Sequence, residues 1–210
     1  MTKRIGKFSL IFLGLIFLSV ISAFVFLFEK DIHIVFGASA PLGNSKMLPW
    51  DNSLNIEQSD NACGPYSTMA YAYSMAGLKL EPEKINREIS GRFGDNLTYP
   101  WGVTEYLHKS NLETHIYFLG LLSKKQKLAW IKEKIESGSP VIVIVGNSEY
   151  SHYLTILGYK DDELYKYDSA LSKDENGEEL GNSTENYESL LGKVESVRFA
   201  GVPINLAISN

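Results

Sequence analysis

From Phe8 to Phe28 the chain runs for 21 residues without a charge, most of them Leu, Ile, Val and Phe. A helix of that length, rising about 1.5 Å per residue, is roughly as long as a bilayer core is thick. Lys3, Arg4 and Lys7 precede the run, and Glu29, Lys30 and Asp31 follow it. Positive charge on the N-terminal side keeps that side in the cytoplasm and places everything after Phe28 outside. The pattern therefore predicts a single-pass protein: 1–7 cytoplasmic, 8–28 a transmembrane signal-anchor in the lipid bilayer, and the rest extracytoplasmic. A cleaved secretory signal is the competing reading. Its apolar stretch would be shorter, and the one small-x-small site, Ala38-Ser39-Ala40, lies well beyond the run. A soluble core helix fits worst, because such helices keep a polar face.

After the apolar run the periodicity lapses. Residues 29–54, with Gly37, Pro41, Gly43 and Pro49, read as a tether. Within it Ile32 to Phe36 is apolar enough for a short strand or for packing beside the membrane. Regular signals resume in 55–210, the expected folded domain. Gly64 to Leu78 has Ala, Met and Leu at helical spacing, with Pro65 in the first turn and Gly77 near the end. Glu81 to Ser90 reads as a second helix and Thr104 to Ser110 as a short third, after an aromatic turn over Tyr99 to Gly102. Thr114 to Phe118 alternates like a strand. Ser123 to Ser137 is amphipathic, with Leu128, Ile131 and Ile135 on one side. Pro140 to Val145 is a proline followed by a β-branched run, as in a strand buried on both faces. His152 to Tyr159 and Leu164 to Asp168 flank a polar turn and predict a hairpin. Ser196 to Phe199 and Ile204 to Ile208 are further strands. Helices first and sheet afterwards make an α+β domain.

Composition removes several function classes. The chain is 44% hydrophobic, with 10 Phe, 12 Tyr and 3 Trp, which is enough for a packed core. A formal net charge of −5 gives no support to a nucleic-acid partner. A single cysteine excludes an internal disulfide framework and a cysteine-rich zinc site. No two of the four histidines stand at i, i+4, so a metal site would have to be assembled from distant parts of the fold. His33 falls in the tether, His108 in a polar helix, and His115 in a strand without an acidic residue at ligand spacing. Neither metal nor cofactor is expected. The acidic run Asp174 to Glu179 and the glutamates at 81, 83 and 88 read as solvated. Asn96-Leu97-Thr98 and Asn182-Ser183-Thr184 fit the glycosylation sequon.

The remaining chemistry centres on the thiol. Cys63 stands at the start of the first domain helix, where the helix dipole and unpaired N–H groups favour a thiolate. Gly64 beside it removes side-chain bulk from the approach to the sulfur. A buried structural cysteine is the plain alternative. A nucleophilic thiol needs a base, and the base an orienting group. His152 opens one strand of the predicted hairpin and Asp168 closes the other, nearly opposite, so that both can point to the same face.

The string Gln58-Ser-Asp-Asn-Ala-Cys63-Gly-Pro, then His152 in a strand ending Gly158-Tyr159, then Tyr167-Asp168-Ser-Ala, resembles the papain-fold cysteine peptidases. Within them it is most similar to the bacterial family related to the bacteriocin-processing, double-glycine-leader peptidases. The resemblance covers roughly residues 55–170. It implies a papain-like fold, a helix carrying the cysteine packed on an antiparallel sheet carrying His and Asp. It also implies Cys63 as nucleophile, His152 as general base and then acid, Asp168 as its orienter, and Gln58 as an oxyanion donor. The substrate it implies is a peptide or a peptide-like amide. Two departures stand out: Gln58 lies five residues before the cysteine where six is common, and Ser169 follows Asp168 where proline is usual. The chain shows no transporter helices or ATPase and is expected to face outward, so bacteriocin maturation is not implied. Two other functions remain open beside hydrolysis. One is a catalytically silent domain binding a peptide or protein in the same groove; the other is thiol-dependent acyl transfer to an amine. Gly91 to Gly102 and Gly146 to Ser151 are the loops expected to shape the cleft, with Tyr99, Trp101 and Tyr150 as apolar lining.

Overall fold

The structure is a computed structural model and describes residues 3–38, 43–94, 97–146, 150–171, 180–196, 198–199, 202–203 and 205–210. The run without charges lies in one helix, α1 (Lys3–Glu29). Its described apolar side chains, Phe12, Leu15, Phe17, Leu18, Val20 and Val25 among them, stand exposed. Among the described residues no helix is long and apolar enough to cross a membrane. Within α1 the side chains of 3–11, 13, 24, 27 and 28 lie outside that description.

The segment expected as a tether is built into the sheet instead of hanging free. It supplies β1 (Ile32–Ile34) and β2 (Ser45–Met47), then a 3-10 turn at Asn52–Leu54. Short extended apolar pieces have backbone groups that must be paired. β1 pairs in parallel with β5 (His115–Phe118), and β2 lies antiparallel to the far half of β7 (Ser151–Lys160).

Between β2 and β5 come three helices, α2 (Cys63–Ala76), α3 (Pro82–Glu88) and α4 (Pro100–Lys109), with the small ribbon β3 (Arg92–Phe93) and β4 (Leu97–Thr98) before α4. α2 ends where Gly77 turns left-handed, φ 68°, and its N–H reaches back to Ala72 and Tyr73. α4 starts earlier than the periodicity predicts. Pro100 occupies its first turn, so the aromatic segment is the beginning of the helix instead of a turn before it. After β5, α5 (Lys124–Glu136) opens with a full capping box between Ser123 and Gln126. β6 (Val141–Gly146), β7 and β8 (Glu163–Tyr167) follow as antiparallel neighbours.

The sequence reading missed β9 (Ser183–Asn186) and α6 (Tyr187–Ser196). Gly192 lies inside α6, and among its described side chains only Leu190, Leu191 and Val194 bury, too short a stripe to stand out. The chain ends in β10 (Arg198–Phe199), β11 (Val202–Pro203) and β12 (Leu206–Ser209). Of the last two expected strands, Val197 and Ile204 lie outside the described residues.

The main sheet has the order β1-β5-β12-β6-β7-β8-β9. Strand β6 shows why it holds the core. Ile142 and Ile144 point toward α2 and its neighbours, while Val141, Val143 and Val145 point toward α5 and α6. Each such side chain, fully buried, contributes about 1.5–3 kcal/mol. The result is the expected α+β, papain-like arrangement: a buried helix with Cys63 at its start, laid on an antiparallel sheet that carries His152 and ends beside Asp168.

One irregularity in the β7–β8 ladder sets which way the end of β8 faces. Lys160, Tyr159 and Gly158 pair with Glu163, Leu164 and Tyr165, but Ile156 and Thr155 then pair with Lys166 and Tyr167. Leu157 is the extra residue of a β-bulge, and its side chain is buried beneath α2.

Candidate active site

Cys63 is the first residue of α2, and no side chain caps the helix at Ala62. The helix therefore presents the positive end of its dipole at the sulfur. Cys63 is 5% exposed, with its helix start at the end of the sheet where β7 begins. His152 is the second residue of β7. Because Tyr167 pairs with Thr155, Asp168 continues opposite Leu154, two residues from His152 and on its face of the sheet. An unbulged ladder would set Asp168 opposite Thr155 and turn it to the other side.

The contacts follow from that register. His152 donates Nε2–H to Oδ1 of Asp168 at 2.8 Å, which leaves Nδ1 as the nitrogen for its hydrogen bond with Cys63. Burial alone would depress the imidazole. The bonds to Asp168 and Cys63, and the negative charge of both, outweigh it and raise its pKa from 6.5 to about 9. Burial pushes the Asp168 carboxyl upward, but the bond and charge of His152, the Ala170 N–H and the Lys166 ammonium hold it below its ordinary value. Lys166 lies 3.8 Å from Oδ2 of Asp168 and 3.7 Å from Glu185, with its chain buried.

Asn182 is a part of this site that sequence reasoning missed. Its side chain accepts from the Asp168 N–H and donates to the Asp168 carbonyl, both at 2.7 Å. It is fully buried, so the sequon it begins offers no accessible acceptor amide. Asn96, in the other sequon, lies outside the described residues. No local pattern marks Asn182, since it stands 14 residues from Asp168 in the sequence.

Gln58 is also brought to the site. Its backbone N–H donates to the Ser169 carbonyl at 2.8 Å, and its side-chain oxygen accepts from Ser169 Oγ at 2.6 Å. With the oxygen held, the amide NH₂ is the end left to donate. The two departures from the family pattern thus meet: Ser169, in the place of the usual proline, grips the glutamine that stands one residue closer to the thiol.

Gly64 has a different role from the one its position suggests. A Cβ there would come within 2.9 Å of Thr98 Cβ, so the missing side chain admits β4 and not a substrate. The open space lies elsewhere, in a cleft of about 410 Å³ lined by Gln58, Cys63, Leu97, Tyr150, His152 and Asp168 among others. Of the expected aromatic lining Tyr150 is there, 58% exposed. Tyr99 and Trp101 stack on each other at 4.2 Å and border a separate apolar hollow with Phe26, Ile32, Ile116 and Leu206. From Gly146 the chain doubles back closely: a Cβ there would meet the Tyr150 carbonyl oxygen at 2.2 Å. Residues 147–149 lie outside the described residues.

The model of the Peptidase_C39 like family matches residues 48–194. The chain belongs to that family. The match includes Gln58, Cys63, His152 and Asp168. Among solved structures, the chain is similar to a putative C39-like peptidase from Bacillus anthracis, with 14% identity and a TM-score of 0.53, over 80% of this chain and 97% of that one. It is also similar to the peptidase domain of Streptococcus ComA, described as a bi-functional ABC transporter of a quorum-sensing pathway. There the identity is 15% and the TM-score 0.50, over 78% of this chain and 95% of that one. At such identities the likeness speaks for the fold. No curated protein matches the chain in sequence.

Proposed function

We propose that this family member is a cysteine peptidase acting through Cys63, His152 and Asp168, with Gln58 completing the oxyanion site. The observation that carries the reading is the continuous chain of contacts from Cys63 through His152 to Asp168 at the wall of an open cleft. An imidazole that holds its proton to about pH 9 beside a sulfur is the partner a thiolate nucleophile needs. The thiolate attacks the amide carbonyl of a peptide, and the oxyanion is held by the Gln58 amide and the Cys63 N–H. His152 passes its proton to the departing amine as the C–N bond breaks, leaving a thioester on Cys63. The now neutral imidazole takes a proton from water, whose oxygen attacks the thioester. Collapse expels the sulfur and releases the acid. Asp168 keeps the ring in line throughout.

The test is hydrolysis of a peptide library by the full chain in detergent, read by mass spectrometry beside Cys63→Ala. Cleavage by the wild type alone supports the reading. Equal product from both, or none from either while Cys63 alkylates no faster than a free thiol, counts against it.

The same reading puts the peptidase domain outside the cytoplasm, tethered by α1. The length of the run without charges, the basic residues before it and the exposed apolar side chains of α1 support this. Protease added to intact cells should digest the domain, and alkaline carbonate should leave the chain in the membrane pellet. Protection of the domain, or its release into the supernatant, would overturn that placement.

A further inference from the structure

Where α1 ends, Asp31 turns into the left-handed region, φ 52°, and its carbonyl accepts from the Ile116 N–H of β5 at 3.4 Å. That turn aims its carboxylate between two imidazoles. His33 Nε2 lies 3.0 Å from Oδ1, and His115 Nδ1 lies 2.6 Å from Oδ2. The sheet register explains the meeting. His33 pairs with Tyr117, so His115, two residues back along β5, is its diagonal neighbour on the same face. One ligand atom from each of the three residues lies within 4.8 Å of the others. The cluster lies at the β1–β5 edge of the sheet, with β12 and β6 between it and β7, so it is separate from Cys63.

We propose that Asp31, His33 and His115 bind a divalent transition metal ion of the zinc type. Two imidazoles and one carboxylate, with one side open to water, form a ligand set suited to Zn²⁺. Bonds of about 2.0–2.1 Å in tetrahedral geometry place ligand atoms roughly 3.3 Å apart. The two contacts to Asp31, one to each carboxylate oxygen at 3.0 and 2.6 Å, are shorter than that spacing, and all three ligand atoms lie within 4.8 Å, so capture requires the carboxylate and the two rings to turn onto a common point. The surroundings also fit. His115 Nε2, the nitrogen turned away from Asp31, faces Glu113 Oε1 at 3.8 Å, the direction from which a second carboxylate orients a metal-bound imidazole. Tyr117 packs against both rings, with centroids 5.5 Å from His33 and 6.3 Å from His115. The ligands come from the turn after α1, from β1 and from β5, so a bound ion fastens the exit of the helix to the sheet. The peptidase reading is not needed for this site.

The test uses the full chain in detergent, with Cys63 carbamidomethylated to remove the competing thiolate. Titration with Co²⁺ should give one saturable equivalent with the visible bands of a four-coordinate ion, displaced by Zn²⁺. His33→Ala and His115→Ala should each weaken binding at least about tenfold. The protein has four histidines, so selective ¹⁵N labelling of the wild type provides a reading free of folding effects. Co²⁺ should broaden the imidazole signals of His33 and His115 before those of His108 and His152. Absence of saturable binding, unchanged affinity in either variant, or broadening of His108 or His152 first would each overturn the assignment.

Discussion

His152 meets Asp168 at 2.8 Å and His115 meets Asp31 at 2.6 Å, yet the two clusters are built for different chemistry. The side chains of His152 and Asp168 are 13% and 16% exposed, while those of His115, His33 and Asp31 are 26%, 47% and 53% exposed. Burial makes the first pair a high-stakes contact, with the remaining groups satisfied by Asn182, Ala170 and Lys166. Exposed pairs of the second kind add little to stability by themselves. The third partner differs as well. A sulfur at a helix start completes one cluster, and a second imidazole completes the other. Bond length therefore says little about role, and surroundings decide it.

The largest effects should come from breaking the buried cluster. His152→Ala is expected to lower kcat/KM for peptide hydrolysis about a thousandfold or more. A loss under tenfold would mean that the imidazole is not the base.

Next is stability against pH. The His152 pKa is raised on folding, from 6.5 to about 9, so its contribution is complete below pH 6.5 and disappears as the pH rises through 9. That is at most roughly 3 kcal/mol. The Asp168 pKa is lowered from 3.8, so its contribution is present above that value and is lost as the pH falls through the depressed pKa. Urea midpoints from pH 6 to 10 should therefore decline in the wild type and stay flatter in His152→Gln; parallel curves would contradict the ion pair.

Asn182→Ala strands the N–H and carbonyl of Asp168 and should cost about 1–3 kcal/mol in urea unfolding. An unchanged midpoint would place those bonds in water.

Smallest is Ser169→Ala, worth about 1 kcal/mol, or fivefold in kcat. In a Gln58→Ala background, itself reduced about a hundredfold, the serine change should have no further effect. A persisting fivefold loss would show that Ser169 acts by another route.

Much of this was legible from spacing. The β-branched run of β6, the amphipathic run of α5 and the Cys63 helix are local signals, and they appear where the periodicity put them. His152 and Asp168 were legible as a pair because a hairpin joins them. The sequence did not reveal partners joined across loops. Asn182 meets Asp168 from beyond a long connection, Ser169 meets Gln58 from the other end of the domain, and Asp31 lies far in sequence from His115. Residues 29–54 read as a tether in which Ile32 to Phe36 could be a short strand, while the three residues of β2 carry too little pattern to be seen. Only pairing with β5 and β7 makes them strands.

The bulge at Leu157 turns strand length into a form of addressing. The residues between His152 and the hairpin turn act as a counter that decides which side chain is delivered to the thiol. Substitutions along that stretch alter packing by degrees. Adding or removing one residue between the bulge and Asp168 advances the count by one and delivers a neighbour in place of the carboxylate. A change of length there therefore takes the carboxylate away from the thiol together with its contacts to Asn182 and Lys166, an effect set by counting and not by the chemistry of the residue added or removed.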